Sequence, residues 1–400
     1  MERVIVIGGG YAGVLAALRA AARLGSGGDV LLVSDSDALV ERIRLHESAA
    51  SGRGVRRPLA ELVRGTGVRL VHARCESIDR DRRTLVAGDT TLSFDRLIVA
   101  IGSEIDRDAV PGARAHAHDL SPEGTERLRG ALAGAASGAH VVVAGGGLTG
   151  LEAATEIAEA HPHLRVTLLS HGEVGERLSR GARAHVLRAL ARLGVALREG
   201  VHVDRIEEDG VVTGGERIAF DLCVSAIGFR APDALRAWGF PLDARGRARV
   251  DAELRLEGAP HVYVAGDCAA VTDTVGSPVV PGCKTAMPMG ARAAENAAAS
   301  LRGQPERALD WIDTGCCTSL GRRDAVIQVM DVHGRPREGV YLTGRTAALV
   351  KELVCRYTVK SVLLERDGRF RYRYLAARRP APTALLAHDA RDRRERIETA

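Results

Sequence analysis

Residues 3–13 read RVIVIGGGYAG and residues 140–150 read HVVVAGGGLTG, one pattern written twice. Gly8, Gly10 and Gly13 correspond to Gly145, Gly147 and Gly150, each pair 137 positions apart. A short apolar, β-branched run opens each copy, as expected of a strand buried on both faces. An alanine-rich segment of helical character follows each turn, VLAALRAAARL at 14–24 and LEAATEIAEA at 151–160. Each copy then reaches a second apolar run, DVLLV at 29–33 and RVTLL at 165–169. The pattern predicts two complete βαβ units.

A single G-x-G-x-x-G says little, but two in strand–turn–helix context point to dinucleotide binding. The first glycine permits the tight turn, the second lets backbone approach a pyrophosphate, and the third lets helix pack on strand. The helix start then offers free N–H groups and a partial positive charge to the diphosphate. Gly9, Tyr11 and Ala12 complete the first candidate site, and Leu148 the second. An acid is expected about 20 residues on, to bind a ribose hydroxyl. Asp35 fills that role in the first unit, preceded by Ser34; the alternative is a solvated loop aspartate. The second unit holds Ser170 and His171 there, with Glu173 beyond. The missing acid leaves NADH and NADPH undecided. Arg177 or Arg180 could meet a 2′-phosphate, or could simply be surface arginines.

Three further strand ends belong with these. VYVAGD at 262–267 places the Asp267 carboxylate at the edge of a parallel sheet, where ligands bind; the alternative is a helix N-cap. VAIGS at 99–103 supplies Ala100 and Gly102, and SAIGF at 225–229 supplies Gly228, one such turn per unit.

Four hundred residues suggest more than one domain. The expected fold is α/β: two Rossmann-like dinucleotide-binding domains, one inserted in the other, plus a C-terminal α+β region. The domain for FAD spans 1–110 and 240–305, the domain for NAD(P)H 111–239, the C-terminal region 306–375, and a tail 376–400. In the C-terminal region DAVIQVM, GVYLTG and RFRYRYL read as strands and RTAALVKELVCRYTV as a helix. A further helix is expected from about Gly290 to Leu301. The net charge of +5 is small, and no basic block is interleaved with aromatics, so nucleic acid is not an expected partner. No apolar run approaches the roughly 18 residues of a membrane span, and insertion is not expected. The Met1 end shows no secretory leader, and seven irregularly spaced cysteines read as reduced thiols in the cytoplasm. No metal-ligand spacing is present.

GGGYAG, IVAIGS, GGGLTG-LE, SAIGFRAP and VYVAGDCAAV, in this order, resemble the pyridine-nucleotide-dependent flavoprotein superfamily. Within it the chain is most similar to the type II NADH dehydrogenase-like group, a likeness shared by ERIRLHE at 41–47 and CTSLGRRDAVIQ at 317–328. The resemblance covers about 1–360. It implies FAD and NAD(P)H as cofactors, hydride transfer from nicotinamide to flavin, and a small-molecule electron acceptor, with a homodimer compatible. Other readings are a flavin-binding interaction protein, an electron donor like the ferredoxin reductases, and a biosynthetic oxidoreductase acting on a small organic molecule. No essential acid–base side chain is expected in the flavin-reducing half-reaction.

The departures from the pattern matter. Disulfide reductases carry a redox cysteine near positions 40–50, where this chain reads LVERIRLHESAA. The vicinal Cys316 and Cys317 lie far along the chain. Quinone-reducing members carry A-Q-x-A-x-Q, where this chain has Cys283-Lys284-Thr285-Ala286-Met287-Pro288, so both glutamines are replaced, by Lys284 and Pro288. That weakens quinone as acceptor; Lys284 adds a charge that would favour an anionic acceptor, the alternative being that it points to solvent and the acceptor binds elsewhere. Pro288-Met289-Gly290 reads as a helix start facing the flavin, with Met289 against it. Glu152 is expected near the nicotinamide, its alternative being a first-turn helix carboxylate. Arg44 and His46 are candidates for the flavin or acceptor pocket.

Overall fold

The computed structural model describes residues 1–272, 276, 279–374 and 376. Most of the expected tail lies outside the described residues. The first unit forms a six-stranded sheet in the order Arg255–Leu256, Ala259–Val264, Arg96–Val99, Glu2–Ile7, Gly28–Ser34, Val68–His72. All neighbours are parallel except the Arg255–Leu256 edge. Ile5 stands between Leu31 and Leu97, and Leu97 also faces Val262. Val4, Ile5, Leu97 and Val262 are fully buried, as a sheet covered on both faces requires. A strand from beyond residue 240 thus completes the sheet that residue 2 begins.

The second unit forms a five-stranded parallel sheet, in the order His118–Asp119, Leu222–Ser225, His140–Ala144, Arg165–Leu169, Val195–Arg198. The duplication goes further than the fingerprints. After its third strand each unit adds a three-stranded antiparallel meander, at 75–93 in the first and 205–219 in the second. The fold is therefore mixed α/β, with two Rossmann-like parallel sheets.

The C-terminal region is an antiparallel sheet of Gly315–Ser319, Ala325–Met330 and Pro336–Thr343, followed by the 23-residue helix Gly344–Arg366. RFRYRYL is not a strand over its described residues 369–374. The Phe370 N–H donates to the Leu364 carbonyl at 3.3 Å, and Tyr372 and Tyr374 bond side chains rather than a neighbouring strand. The Tyr372 N–H donates to Glu365 at 2.6 Å, its carbonyl accepts from Arg19 at 2.9 Å, and the Tyr374 hydroxyl donates to Asp310 at 2.8 Å.

The helix expected from Gly290 begins seven residues earlier, at Cys283. Pro288 lies inside it, where it removes one backbone donor. Close packing compensates, because this helix runs against Tyr11–Leu24 through small residues. A Cβ on Gly290 would lie 2.2 Å from the Ala12 carbonyl oxygen. Met289 is buried in the resulting core rather than standing at a helix start.

Candidate functional site

Each fingerprint closes on itself by backbone contact and leaves one side open. Gly8 (φ +113°) and Gly145 (φ +116°) occupy a region that L side chains rarely adopt. A Cβ on Gly13 would sit 1.8 Å from the Gly8 carbonyl oxygen, and one on Gly150 1.8 Å from that of Gly145. Those two glycines are packing requirements. Gly10 and Gly147 are different, since a Cβ there meets nothing within 4 Å. Both are helix N-caps in extended conformation. The first N–H groups of the helices Tyr11–Leu24 and Leu148–Ala160 therefore border open space on the side where a pyrophosphate would lie. Gly9 packs on Ser34, and Gly146 on Ser170.

Two of the three strand-end turns converge on the first fingerprint, while Ala226 of the third lies against Gly145 and Gly150 of the second. The Ala100 carbonyl closes over Gly8, and Gly102 follows with φ +71°. Asp267 is anchored on both oxygens: Ser103 Oγ donates to one at 2.9 Å, and the Gly282 N–H to the other at 2.9 Å. That carboxylate is fixed across two segments, and the Gly282 N–H it accepts from belongs to the N-cap residue of the helix Cys283–Leu301. Gly228 (φ +83°) packs on Ala109 in the second unit. Asp35 is exposed, and His72 bonds its carbonyl at 3.1 Å. Leu148 is exposed at the second helix start.

Several expected residues have other partners. Arg44 is buried with its guanidinium shared among Glu47 at 3.0 Å, Glu41 at 3.3 Å and Glu352 at 2.8 Å. Three carboxylates consume its charge, so it is not free for a cofactor. Lys284 Nζ donates to both oxygens of Asp313, at 2.7 and 2.8 Å, and to the Gly315 carbonyl at 2.9 Å. It is no free cation. Glu173 pairs with Arg183 at 3.4 Å, and Arg177 and Arg180 are exposed. Cys316 and Cys317 are free thiols on one strand.

Glu152 is the fifth residue of its helix, beyond the first turn. It is the centre of a buried polar cluster that reaches the C-terminal region. Lys351 pairs with it, and Ser319 donates to it through both N–H and Oγ at 3.0 Å. His46 lies 3.7 Å away through Nδ1 and 3.3 Å from Ser319 Oγ through Nε2. Burial opposes the Glu152 charge, but the Lys351 ammonium, His46 and the Ser319 bonds overcome this and hold its pKa at about 2. Burial depresses His46 to about 4, so its ring is neutral at pH 7. Beside this cluster Arg322 joins Glu47 at 2.9 Å to Glu156 at 2.7 Å. The arrangement holds a fixed carboxylate next to the second fingerprint. It carries no redox thiol on the helix Leu45–Ser51.

Lys351, Ser319, Arg322 and Glu352 were not singled out by sequence. Lys351 and Glu352 left a trace as the adjacent charges that interrupt the otherwise apolar run AALVKELV, and Ser319 and Arg322 lie within the segment CTSLGRRDAVIQ. Among the described residues no helix is long and apolar enough to cross a membrane, and no cluster could hold a metal ion.

Comparison with known proteins agrees with this geometry. The family model for pyridine nucleotide-disulphide oxidoreductases matches residues 2–298. An NADH dehydrogenase-like protein of Mycobacterium tuberculosis is 36% identical over 334 residues, covering 77% of this chain and 83% of that protein. A type II NADH:quinone oxidoreductase of Staphylococcus saprophyticus is 25% identical, covering 88% and 94%. In fold the chain resembles the sulfide:quinone oxidoreductase of Aquifex aeolicus, with a TM-score of 0.80 at 17% identity over 91% of this chain and 92% of that one. The chain is an oxidoreductase, and it belongs to the pyridine nucleotide-disulphide oxidoreductase family.

Proposed function

We propose that this chain is an FAD-dependent NAD(P)H oxidoreductase, in which a hydride passes from reduced nicotinamide to flavin and the electrons go on to a small-molecule acceptor. The carrying observation is the pair of fingerprint turns, closed by backbone at Gly8/Gly13 and Gly145/Gly150 and open at Gly10 and Gly147. Residues 1–110 and 240–305 are assigned to FAD and 111–239 to the nicotinamide. FAD fits the first turn. Gly10 leaves the space a diphosphate needs, the N–H groups of Tyr11, Ala12 and Gly13 line it, and Asp267 stands ready-anchored to receive a hydroxyl. When bound, the flavin supplies the electron relay between a two-electron donor and the acceptor.

The chain's own contribution is position. Gly147 and the helix start behind it hold the second diphosphate, and the rigid sheet ends carrying Gly102 and Gly228 keep the two sites in register. Fixing reacting groups in place is itself a large part of catalysis. Glu152 acts as a fixed anion: its bonds to Lys351 and Ser319 leave it ionised and unable to swing. The acceptor is a small molecule reached near Cys283 and Lys284, the half-buried start of the helix Cys283–Leu301. The quinone named for the staphylococcal relative is disfavoured as that acceptor, because Lys284 and Pro288 replace the glutamines of the quinone-reducing pattern.

The test is to identify the chromophore of the purified protein by chromatography, then mix anaerobically with NADH or NADPH and follow bleaching near the flavin band. Bound FAD that either nucleotide reduces is the expected result. A colourless protein that cannot be reconstituted with FAD would overturn the reading.

A further inference from the structure

The two halves of the duplication can be aligned by their hydrogen bonds. Gly8 N–H donates to the Val33 carbonyl at 2.8 Å, and Gly145 N–H to that of Leu169 at 2.9 Å. The Ala73 N–H donates to the Ser34 carbonyl at 2.9 Å, and the Val201 N–H to that of Ser170 at 2.9 Å. Ser34 therefore equates with Ser170, Asp35 with His171, and Arg74 with His202. The carboxylate on offer in the first half has become an imidazole in the second.

The two imidazoles meet. The rings of His171 and His202 are 5.4 Å apart at 76°, and both are exposed at the sheet edge beside the second fingerprint. Ser170, where an acid often stands, is buried against Gly146 and carries no charge. The nearby acids Glu173 and Glu199 are both taken by Arg183, at 3.4 and 2.9 Å, and Arg198 is taken by Glu216. Glu176 approaches Gly172 and opposes an anion there. Arg177, exposed and without an ion-pair partner among the described residues, adds a cation to the same loop.

A ribose 2′-hydroxyl seeks a carboxylate, whereas a 2′-phosphate is repelled by one and takes N–H donors. Imidazole donates an N–H in either protonation state. We infer that the second dinucleotide site takes the phosphorylated nicotinamide, NADPH, with its 2′-phosphate received between His171 and His202. This rests on the reading of residues 140–150 as the nicotinamide site, and it departs from the NADH in the names of the curated relatives.

The experiment is calorimetric titration of the FAD-loaded protein with NADP⁺ and with NAD⁺, for the wild type, a His171→Ala/His202→Ala double variant, and Ser170→Glu. Wild type is expected to bind NADP⁺ about tenfold tighter than NAD⁺, a difference near 1.4 kcal/mol. The double variant should lose that preference with its NAD⁺ affinity within twofold of wild type, which also shows that it is folded. Ser170→Glu should weaken NADP⁺ selectively. Equal or tighter binding of NAD⁺ by the wild type overturns the inference and leaves the proposed function standing. So does a double variant that weakens both nucleotides alike. Binding of neither nucleotide overturns the proposed function and this inference together.

Discussion

Replacing Lys351 with methionine would leave Glu152 as a buried carboxylate without its cation. The methionine keeps most of the side-chain volume, so the change is electrostatic rather than a cavity. In the native protein the Glu152 pKa is about 2, against an ordinary 4.5, despite burial that works the other way. Without Lys351 the largest influence holding it down is gone, and burial pushes the pKa up. Removing one side of a buried ion pair costs about 3–5 kcal/mol. Lys351→Met should therefore lose about 3 kcal/mol at pH 8 by denaturant unfolding followed by circular dichroism. The pH dependence has a definite sign. A carboxylate with a raised native pKa destabilises as pH rises through that range, so the loss should be smaller at pH 5 than at pH 8. Glu152→Gln in the same chain should restore much of the stability, because no unpaired charge is then buried. A single variant within 0.5 kcal/mol of wild type at pH 8 would refute the reasoning.

The glycines make a sharper contrast. Gly147→Trp should fold normally, since its Cβ enters open space, yet weaken nicotinamide binding by about 100-fold or more through loss of the helix-start bonds; retained affinity by titration would count against the second site. Gly150→Ala should instead lower the melting temperature, because its Cβ would press on the Gly145 carbonyl; an unchanged melting point would contradict that packing. Stability should also fall as pH drops below 6.5. His46, held at about 4, is protonated first in the unfolded chain; this costs at most about 3 kcal/mol by pH 4, and His46→Asn should flatten that limb of a denaturation–pH profile. A short-chain ubiquinone should be a poorer acceptor than ferricyanide under saturating reduced nicotinamide, and Lys284→Gln should not rescue it, because Lys284 is held by Asp313. Quinone turnover as fast as flavin reduction would show that the replaced glutamines do not matter.

Both βαβ units were legible in the sequence because their determinants are local. An apolar β-branched run, three spaced glycines and an alanine-rich helix lie within about 25 residues, and backbone sterics alone require glycine at Gly8 and Gly145. The duplication itself was legible for the same reason. The helix start at Cys283 was not, since Pro288 argues locally for a boundary, and only packing on Ala12 through Gly290 overrides it. RFRYRYL reads as a strand by alternation, but Arg19 and Glu365 take the backbone groups of Tyr372. The environment of Glu152 lay furthest out of reach. Its partner Lys351 is 199 residues away, and Ser319 and His46 arrive from two other elements. A hydrogen-bonded turn is fixed by neighbours in the chain. A buried charge is tolerable only where folding brings its counter-charge to it, so the glycines were settled by sequence and the ion pairs by tertiary structure.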